Sequence, residues 1–159
     1  VWIKMGNHRF EYHKAEAKTA DAWKEGFFTV GDAGYLDEDG YLFLCDRKAD
    51  MIISGGVNIY PAEIEAVLLA HPMVADVAVF GIPDDDWGER VMAIVEPPSG
   101  IALDAAAGPA IVAWASERLA KYKCPKAIDF VEALPRDPNG KLYKRKLRDP
   151  YWEGTGRSI

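Results

Sequence analysis

Met51-Ile52-Ile53-Ser54-Gly55-Gly56-Val57-Asn58-Ile59-Tyr60-Pro61-Ala62-Glu63-Ile64-Glu65 decides how this chain folds. Two short apolar runs, 51–53 and 57–60, bracket Ser54-Gly55-Gly56, the signal of a small β-hairpin. Pro61 then stands where a helix begins, and Glu63 and Glu65 fall near the positive end of its dipole. Ile64, Val67 and Leu68 form one apolar stripe, and His71-Pro72 ends the run. Working outward, 74–82 and 90–96 read as strands rich in Val, Ile and Ala, joined by Pro83-Asp84-Asp85-Asp86-Trp87-Gly88-Glu89. A helix is expected over 110–119, a third strand over 127–134 and a short basic helix over 142–148. The order hairpin, α, β, β, α, β, α predicts an α+β fold: a three-stranded sheet with flanking helices and a two-stranded hairpin.

Upstream, Phe27-Phe28-Thr29-Val30 is a strand candidate running into Gly31-Asp32. Tyr35-Leu36 and Tyr41-Leu42-Phe43-Leu44 flank Asp37-Glu38-Asp39-Gly40, a hairpin closed by Asp-Gly. Asp46-Arg47-Lys48-Ala49-Asp50 is a polar break and the expected domain boundary. The chain therefore divides into a β-rich piece, 1–46, a second domain, 47–150, and a tail, 151–159.

At 159 residues, 49% hydrophobic and 28% charged, the composition is that of a soluble globular protein. No apolar run approaches membrane-spanning length. Cys45 and Cys124 lie far apart without metal-ligand spacing, and His8, His13 and His71 are scattered, so no metal site is expected and a cytoplasmic setting is. Val1-Trp2-Ile3-Lys4, without an initiator Met, reads as the middle of a longer protein. The net charge of −6 conceals an asymmetry: nine of nineteen basic residues fall between Lys121 and Arg148, against three acids there. That basic face suits a phosphate-bearing partner. It carries no helix-turn-helix, zinc or RNA-binding signature, so a nucleotide-like small molecule is favoured over nucleic acid. Within it, Leu134-Pro135-Arg136-Asp137-Pro138-Asn139-Gly140-Lys141 is a shaped loop that puts a lysine at its tip. A long-stemmed ammonium there can reach a phosphate or carboxylate carried by another part of the molecule.

Three motifs occur in one order: Thr29-Val30-Gly31-Asp32, Asp46 through Glu65, and Pro135 through Lys144. Together they closely resemble the C-terminal part of the adenylate-forming enzymes, the superfamily of acyl- and aryl-CoA synthetases, firefly luciferase and peptide-synthetase adenylation domains. Met-Ile-Ile-Ser-Gly-Gly-x-Asn-Ile-Tyr-Pro is most similar to the fatty-acyl and aryl-CoA synthetase branch. The resemblance implies a two-step ligation: a carboxylate attacks the α-phosphate of ATP to give acyl-adenylate and pyrophosphate, and the thiol of CoA then displaces AMP. It implies that 1–46 end a large N-terminal AMP-binding domain lying mostly outside this sequence, and that 47–150 are a mobile C-terminal domain turning on a hinge between the steps. The isolated piece is then expected to be inactive and able to self-associate through its exposed seam.

By the same resemblance, Asp32 grips the ribose hydroxyls of ATP or AMP through charge-assisted hydrogen bonds, and Arg47 reaches the ribose and phosphate with its planar fork. Ala49 falls at the hinge, where relatives commonly carry Asp or Lys. Lys141 is the adenylation lysine, bridging carboxylate and α-phosphate where charge concentrates. Gly55 and Gly56 belong to the hairpin lining the pantetheine tunnel, where a backbone without side chains admits the thin arm. Trp87 and Tyr122, with Lys123, are placed to hold the CoA nucleotide. Cys124 stands where some relatives place an arginine, which shifts that phosphate contact onto Lys123 or Lys126. Mg²⁺ would be held by the phosphates and the missing domain. A different class of reading is a stand-alone module binding CoA or a carrier protein without catalysis.

Overall fold

Two strands of nine residues organise the larger part of the chain, in a computed structural model that describes residues 1–6, 8–101 and 103–155. The backbone separates into two compact units, Val1–Ala49 and Asp50–Ile159.

In the first unit, helix α1 (Glu16–Asp21) is followed by the two-residue strands β1 (Trp23–Lys24) and β2 (Phe27–Phe28), which pair antiparallel. Phe10, Trp23 and Phe28 pack ring against ring there, with centroids 5.0–5.6 Å apart. Strands β3 (Asp32–Leu36) and β4 (Leu42–Arg47) form the hairpin expected around Asp37-Glu38-Asp39-Gly40. Arg47 was expected to open the second domain. It is the last residue of β4, directly opposite Asp32.

In the second unit, β5 (Ile52–Ser54) and β6 (Val57–Ile59) make the small hairpin, and helix α2 (Pro61–Leu69) starts at the expected proline. Strands β7 (Asp76–Asp84) and β8 (Gly88–Glu96) pair along their whole length. Helix α3 (Ala107–Ser116) leads to β9 (Ala127–Phe130), which runs parallel to β8. The hairpin joins β8 through one pairing, Ser54 with Gly88. The expected three-stranded sheet and separate hairpin are thus one five-stranded sheet. β9 stops four residues short of the expected end, its last pairing with β8 being Phe130 with Val95.

Both faces of this sheet are covered, which is why β7 and β8 read as unbroken apolar runs rather than alternating ones. Val77, Val79, Val91, Ala93 and Val95 pack with Ile64 and Leu68 of α2 and Ile111 and Ala115 of α3. Ala78, Phe80, Ile82, Met92 and Ile94 turn the other way, toward Leu142, Leu147 and Tyr151. The last two belong to α4 (Lys144–Trp152), which runs through Pro150 and past the expected end at Arg148. Tyr151 packs on Phe80, and the Trp152 indole donates to the Gly81 carbonyl (3.0 Å). The tail expected from 151 therefore begins inside a packed helix; residues 156–159 of it lie outside the described residues. Among the described residues no helix is long and apolar enough to cross a membrane.

Candidate active-site elements

Asp32 and Arg47 come together at the open end of β3 and β4, with Arg47 Nε 3.9 Å from Asp32 Oδ1. Gly31 turns the chain into β3; its N–H donates to Thr29 Oγ1 (3.1 Å), and its carbonyl accepts from the Lys48 N–H (2.7 Å). The Asp32 carboxylate is partly open and beside a guanidinium, an arrangement able to accept from hydroxyls while the cation meets a neighbouring phosphate. Ala49 lies in the short 3₁₀ turn Lys48–Asp50, and the division between the two units falls directly after it.

The Lys141 loop is closed on itself. Asp137 Oδ1 accepts from the N–H groups of Asn139 (2.8 Å) and Lys141 (3.0 Å), and the Asp137 and Gly140 backbones complete the turn. Gly140 has φ of +82°, a conformation that costs a side-chain-bearing residue about 1–2 kcal/mol. The Lys141 side chain is exposed and makes no ion pair among the described residues. A rigid turn presenting an uncommitted ammonium can meet developing negative charge with little reorganisation.

Gly55 and Trp87 also meet. The Gly55 N–H donates to the Trp87 carbonyl (2.8 Å), and a Cβ on Gly55 would lie 2.4 Å from the indole ring. Gly56 has open space around its Cα, and Trp87 remains 62% exposed. The hairpin tip and the largely exposed aromatic thus form one surface. Two residues after Trp87 comes Glu89, which the sequence did not single out. Its carboxylate lies so close over Gly81 that any Cβ there would collide with it. Burial pushes the Glu89 carboxyl above the usual carboxylate range, while a bond from the Ile53 N–H and the Arg148 charge pull the other way.

Tyr122 is exposed, but Lys123 is already engaged: its Nζ lies 2.6 and 2.7 Å from the two oxygens of Glu63 in the first turn of α2. That bond raises the lysine's pKa. For Lys123 to hold a CoA phosphate, Glu63 has to release it. Cys124 is buried, with Sγ against the carbonyls of Leu119 and Ala120. No cluster of three or more His, Cys, Asp or Glu suited to a metal occurs among the described residues.

The ladder of β7 and β8 separates these features. Ser54–Gly56 and Trp87 sit at its Asp84–Gly88 end. The stem of the Lys141 loop is held at its Asp76–Glu96 end by Arg136 and Leu134. Eight residue steps of extended strand put those ends roughly 25 Å apart. The motifs could be read from the sequence; their placement at opposite ends could not, because it needs the register of the 21-residue hairpin Asp76–Glu96.

Residues 63–141 match the family model of the AMP-binding enzyme C-terminal domain. The chain is 47% identical over 141 residues to a long-chain-fatty-acid–CoA ligase of Mycobacterium tuberculosis, FadD13, covering 89% of this chain and 27% of that protein. It is 48% identical over 148 residues to the 2-succinylbenzoate–CoA ligase of Geobacillus kaustophilus, covering 93% and 30%. Among solved structures, o-succinylbenzoate CoA synthetase of Bacillus subtilis with the acyl-adenylate OSB-AMP superimposes with a TM-score of 0.81 at 38% identity, over 93% of this chain and 30% of that one. The chain thus spans under a third of the length of the curated relatives it matches.

Proposed function

Because this chain belongs to the adenylate-forming enzymes and carries their AMP-binding C-terminal domain, we propose that it is the C-terminal part of an ATP-dependent acyl-CoA ligase. In the first step a carboxylate oxygen attacks the α-phosphorus of ATP, the bond to the pyrophosphate oxygen breaks, and pyrophosphate leaves. Lys141 neutralises the charge gathering on carboxylate and α-phosphate. Asp32 accepts from the ribose hydroxyls and Arg47 stands beside them. In the second step the sulfur of CoA attacks the acyl carbon and AMP departs with the bonding electrons. Gly55 and Gly56 then face the pantetheine arm, with Trp87, Tyr122 and Lys123 on the nucleotide side. Mg²⁺ would offset phosphate charge when bound with ATP; the described residues of this chain offer no cluster to hold it.

The observation carrying this reading is the roughly 25 Å between the Lys141 end and the Gly55–Trp87 end of one rigid ladder. One small site cannot receive both ends in a single orientation, and a turn at Ala49, at the division between the units, would present them in succession. The exposed apolar side chains of β3 and β4 (Leu36, Leu42, Phe43 and Leu44 among them) fit a surface that the rest of a cytoplasmic enzyme covers. Uncovered, the same surface would bring copies of the isolated chain together.

The test separates the half-reactions in the complete enzyme. Lys141→Ala should slow pyrophosphate release with ATP and acid by about 10²–10³ and spare thiol transfer from preformed acyl-adenylate. Gly55→Val should do the reverse, since its side chain meets Trp87. Equal losses in both steps for both variants would refute the divided role.

A further inference from the structure

Asp76 and Glu96 face each other directly across the antiparallel β7–β8 pair. Opposed carboxylates repel, and such a pair destabilises a sheet unless each finds a partner. Both partners come from the stem of the Lys141 loop. The Leu134 N–H donates to Glu96 Oε2 (2.7 Å), and the Arg136 guanidinium pairs with Asp76 Oδ2 while also donating to the Gly140 carbonyl (2.6 Å). Arg136 therefore links the sheet end to the glycine immediately before Lys141.

The other stem is held in the same manner. Lys144, three residues past Lys141, puts Nζ 2.7 Å from Glu65 Oε1, and both side chains are less than one-fifth exposed. The same oxygen accepts from the Val79 N–H (2.8 Å) on the outer edge of β7. Between the two clamps the stems share one isolated bridge, Arg136 with Leu142, and a bond from the Tyr143 N–H to the Pro135 carbonyl (2.8 Å). The loop has almost no sheet of its own. Its place in the unit is set by side chains of α2, β7 and β8.

We propose that Glu65, Asp76 and Glu96 are positioning residues for Lys141, fixing the loop from both sides so that its ammonium is held in place for the adenylation step. This rests on the reading of Lys141 given above. The sheet tolerates an acidic pair and a largely buried carboxylate because the loop supplies counter-charges to Asp76 and Glu65 and a backbone donor to Glu96. Neutralising the carboxylates should loosen the loop without weakening the sheet.

In the complete enzyme, Glu65→Gln keeps an acceptor for Val79 and removes the ion pair, and Asp76→Asn relieves the repulsion while releasing Arg136. Each should slow adenylation roughly 10- to 100-fold, the scale of an ångström's misplacement. The loss should fall on kcat rather than on KM for ATP, and thiol transfer from preformed acyl-adenylate should stay within twofold. The melting temperature of Asp76→Asn should hold or rise. Glu65→Lys combined with Lys144→Glu should recover part of the rate. Arg145→Ala, which breaks the exposed pair with Asp149 on the same helix, serves as the surface control. If Lys141→Ala abolishes adenylation while Glu65→Gln and Asp76→Asn leave it intact, the positioning role is wrong and the Lys141 reading survives. If Lys141→Ala itself leaves adenylation intact, both fall. Parallel loss of both half-reactions together with melting temperature would make these residues structural only and overturn the proposal.

Discussion

The turns at Asp37–Tyr41 and Asp137–Lys141 share four hydrogen bonds, atom for atom. In each, the aspartate N–H donates to the carbonyl four residues on (3.0 and 2.9 Å), and the glycine N–H donates back to the aspartate carbonyl (3.1 and 2.9 Å). In each, Asp Oδ1 accepts from the N–H two residues on (3.1 and 2.8 Å) and four residues on (2.8 and 3.0 Å). Gly40 and Gly140 have φ of +84° and +82°. What differs is the support. The first turn closes a ladder from Leu36–Leu42 to Asp32–Arg47, five paired positions of its own hairpin. The second closes a single bridge and is held by ion pairs to other elements. Turn chemistry makes a rigid tip in both; only tertiary contacts give the second tip an address.

The largest expected effect breaks the symmetry outright. Valine at either glycine would be forced into left-handed backbone at a cost of about 1–2 kcal/mol. Gly140→Val should lower adenylation by the complete enzyme roughly 100-fold, because the lysine beside it is displaced. Gly40→Val should leave that rate nearly unchanged, since its ladder absorbs the damage. Equal loss of adenylation from both would mean that the two turns are not functionally distinct.

Removing the aspartates sharpens the same contrast. Asp37→Ala and Asp137→Ala each leave two N–H groups without their side-chain acceptor, a stability cost of about 1 kcal/mol per bond at most, since both turns meet water. Amide hydrogen exchange at Tyr41 and at Lys141 should accelerate to a similar extent in the two variants. Only Asp137→Ala should also slow adenylation, by about 10-fold on the same positional argument. A slow Lys141 amide in Asp137→Ala would show that the clamps alone fix the tip.

Reading the turns separately requires telling the two units apart as they unfold, and His71 supplies a handle on the second. It is buried at the end of α2, its Nδ1 accepts from the Met73 N–H (3.2 Å), and its ring meets Trp114 edge-on. Burial, and secondarily the Arg118 charge, lower its pKa from the ordinary 6.5. The unfolded chain then binds the proton more tightly. The stability tied to neutral His71 is therefore complete above pH 6.5 and declines as the pH falls through and below that value. Denaturant melts between pH 7.5 and 5 should show that slope, and His71→Gln should flatten it. A slope unchanged in His71→Gln would assign it to other groups.

The turns were legible because Asp-x-Asn-Gly and Asp-x-Asp-Gly are local chemistry, complete within five residues. The hairpin at Gly55 and the proline opening α2 were legible for the same reason. The polar run Asp46–Asp50 has the composition of a linker, yet its first two residues close the β4 ladder, a pairing that composition does not reveal. The pairing of Asp76 with Glu96, the reach of Glu65 to Lys144 and the seat of Trp87 on Gly55 were not legible at all. Each joins residues from 20 to 79 positions apart, and each depends on register and helix phase that no short window of sequence contains.

The smallest expected effect is the strictest test of whether the turns are equivalent. Replacing Glu38 by Pro and Asp39 by Asn gives the first turn the interior of the second. If the backbones match, position 38 already has the φ that proline demands, and Pro138 shows that its ring fits between an Asx acceptor and an asparagine. Stability of the β3–β4 hairpin should then change by no more than about 0.5–1 kcal/mol, with stabilisation expected because proline narrows the unfolded ensemble. Adenylation should not change, since Lys141 and its clamps are untouched. A marked loss of hairpin stability would mean that the four matching bonds conceal different backbones. The contrast between the turns would then lie in the turns themselves rather than in what holds them.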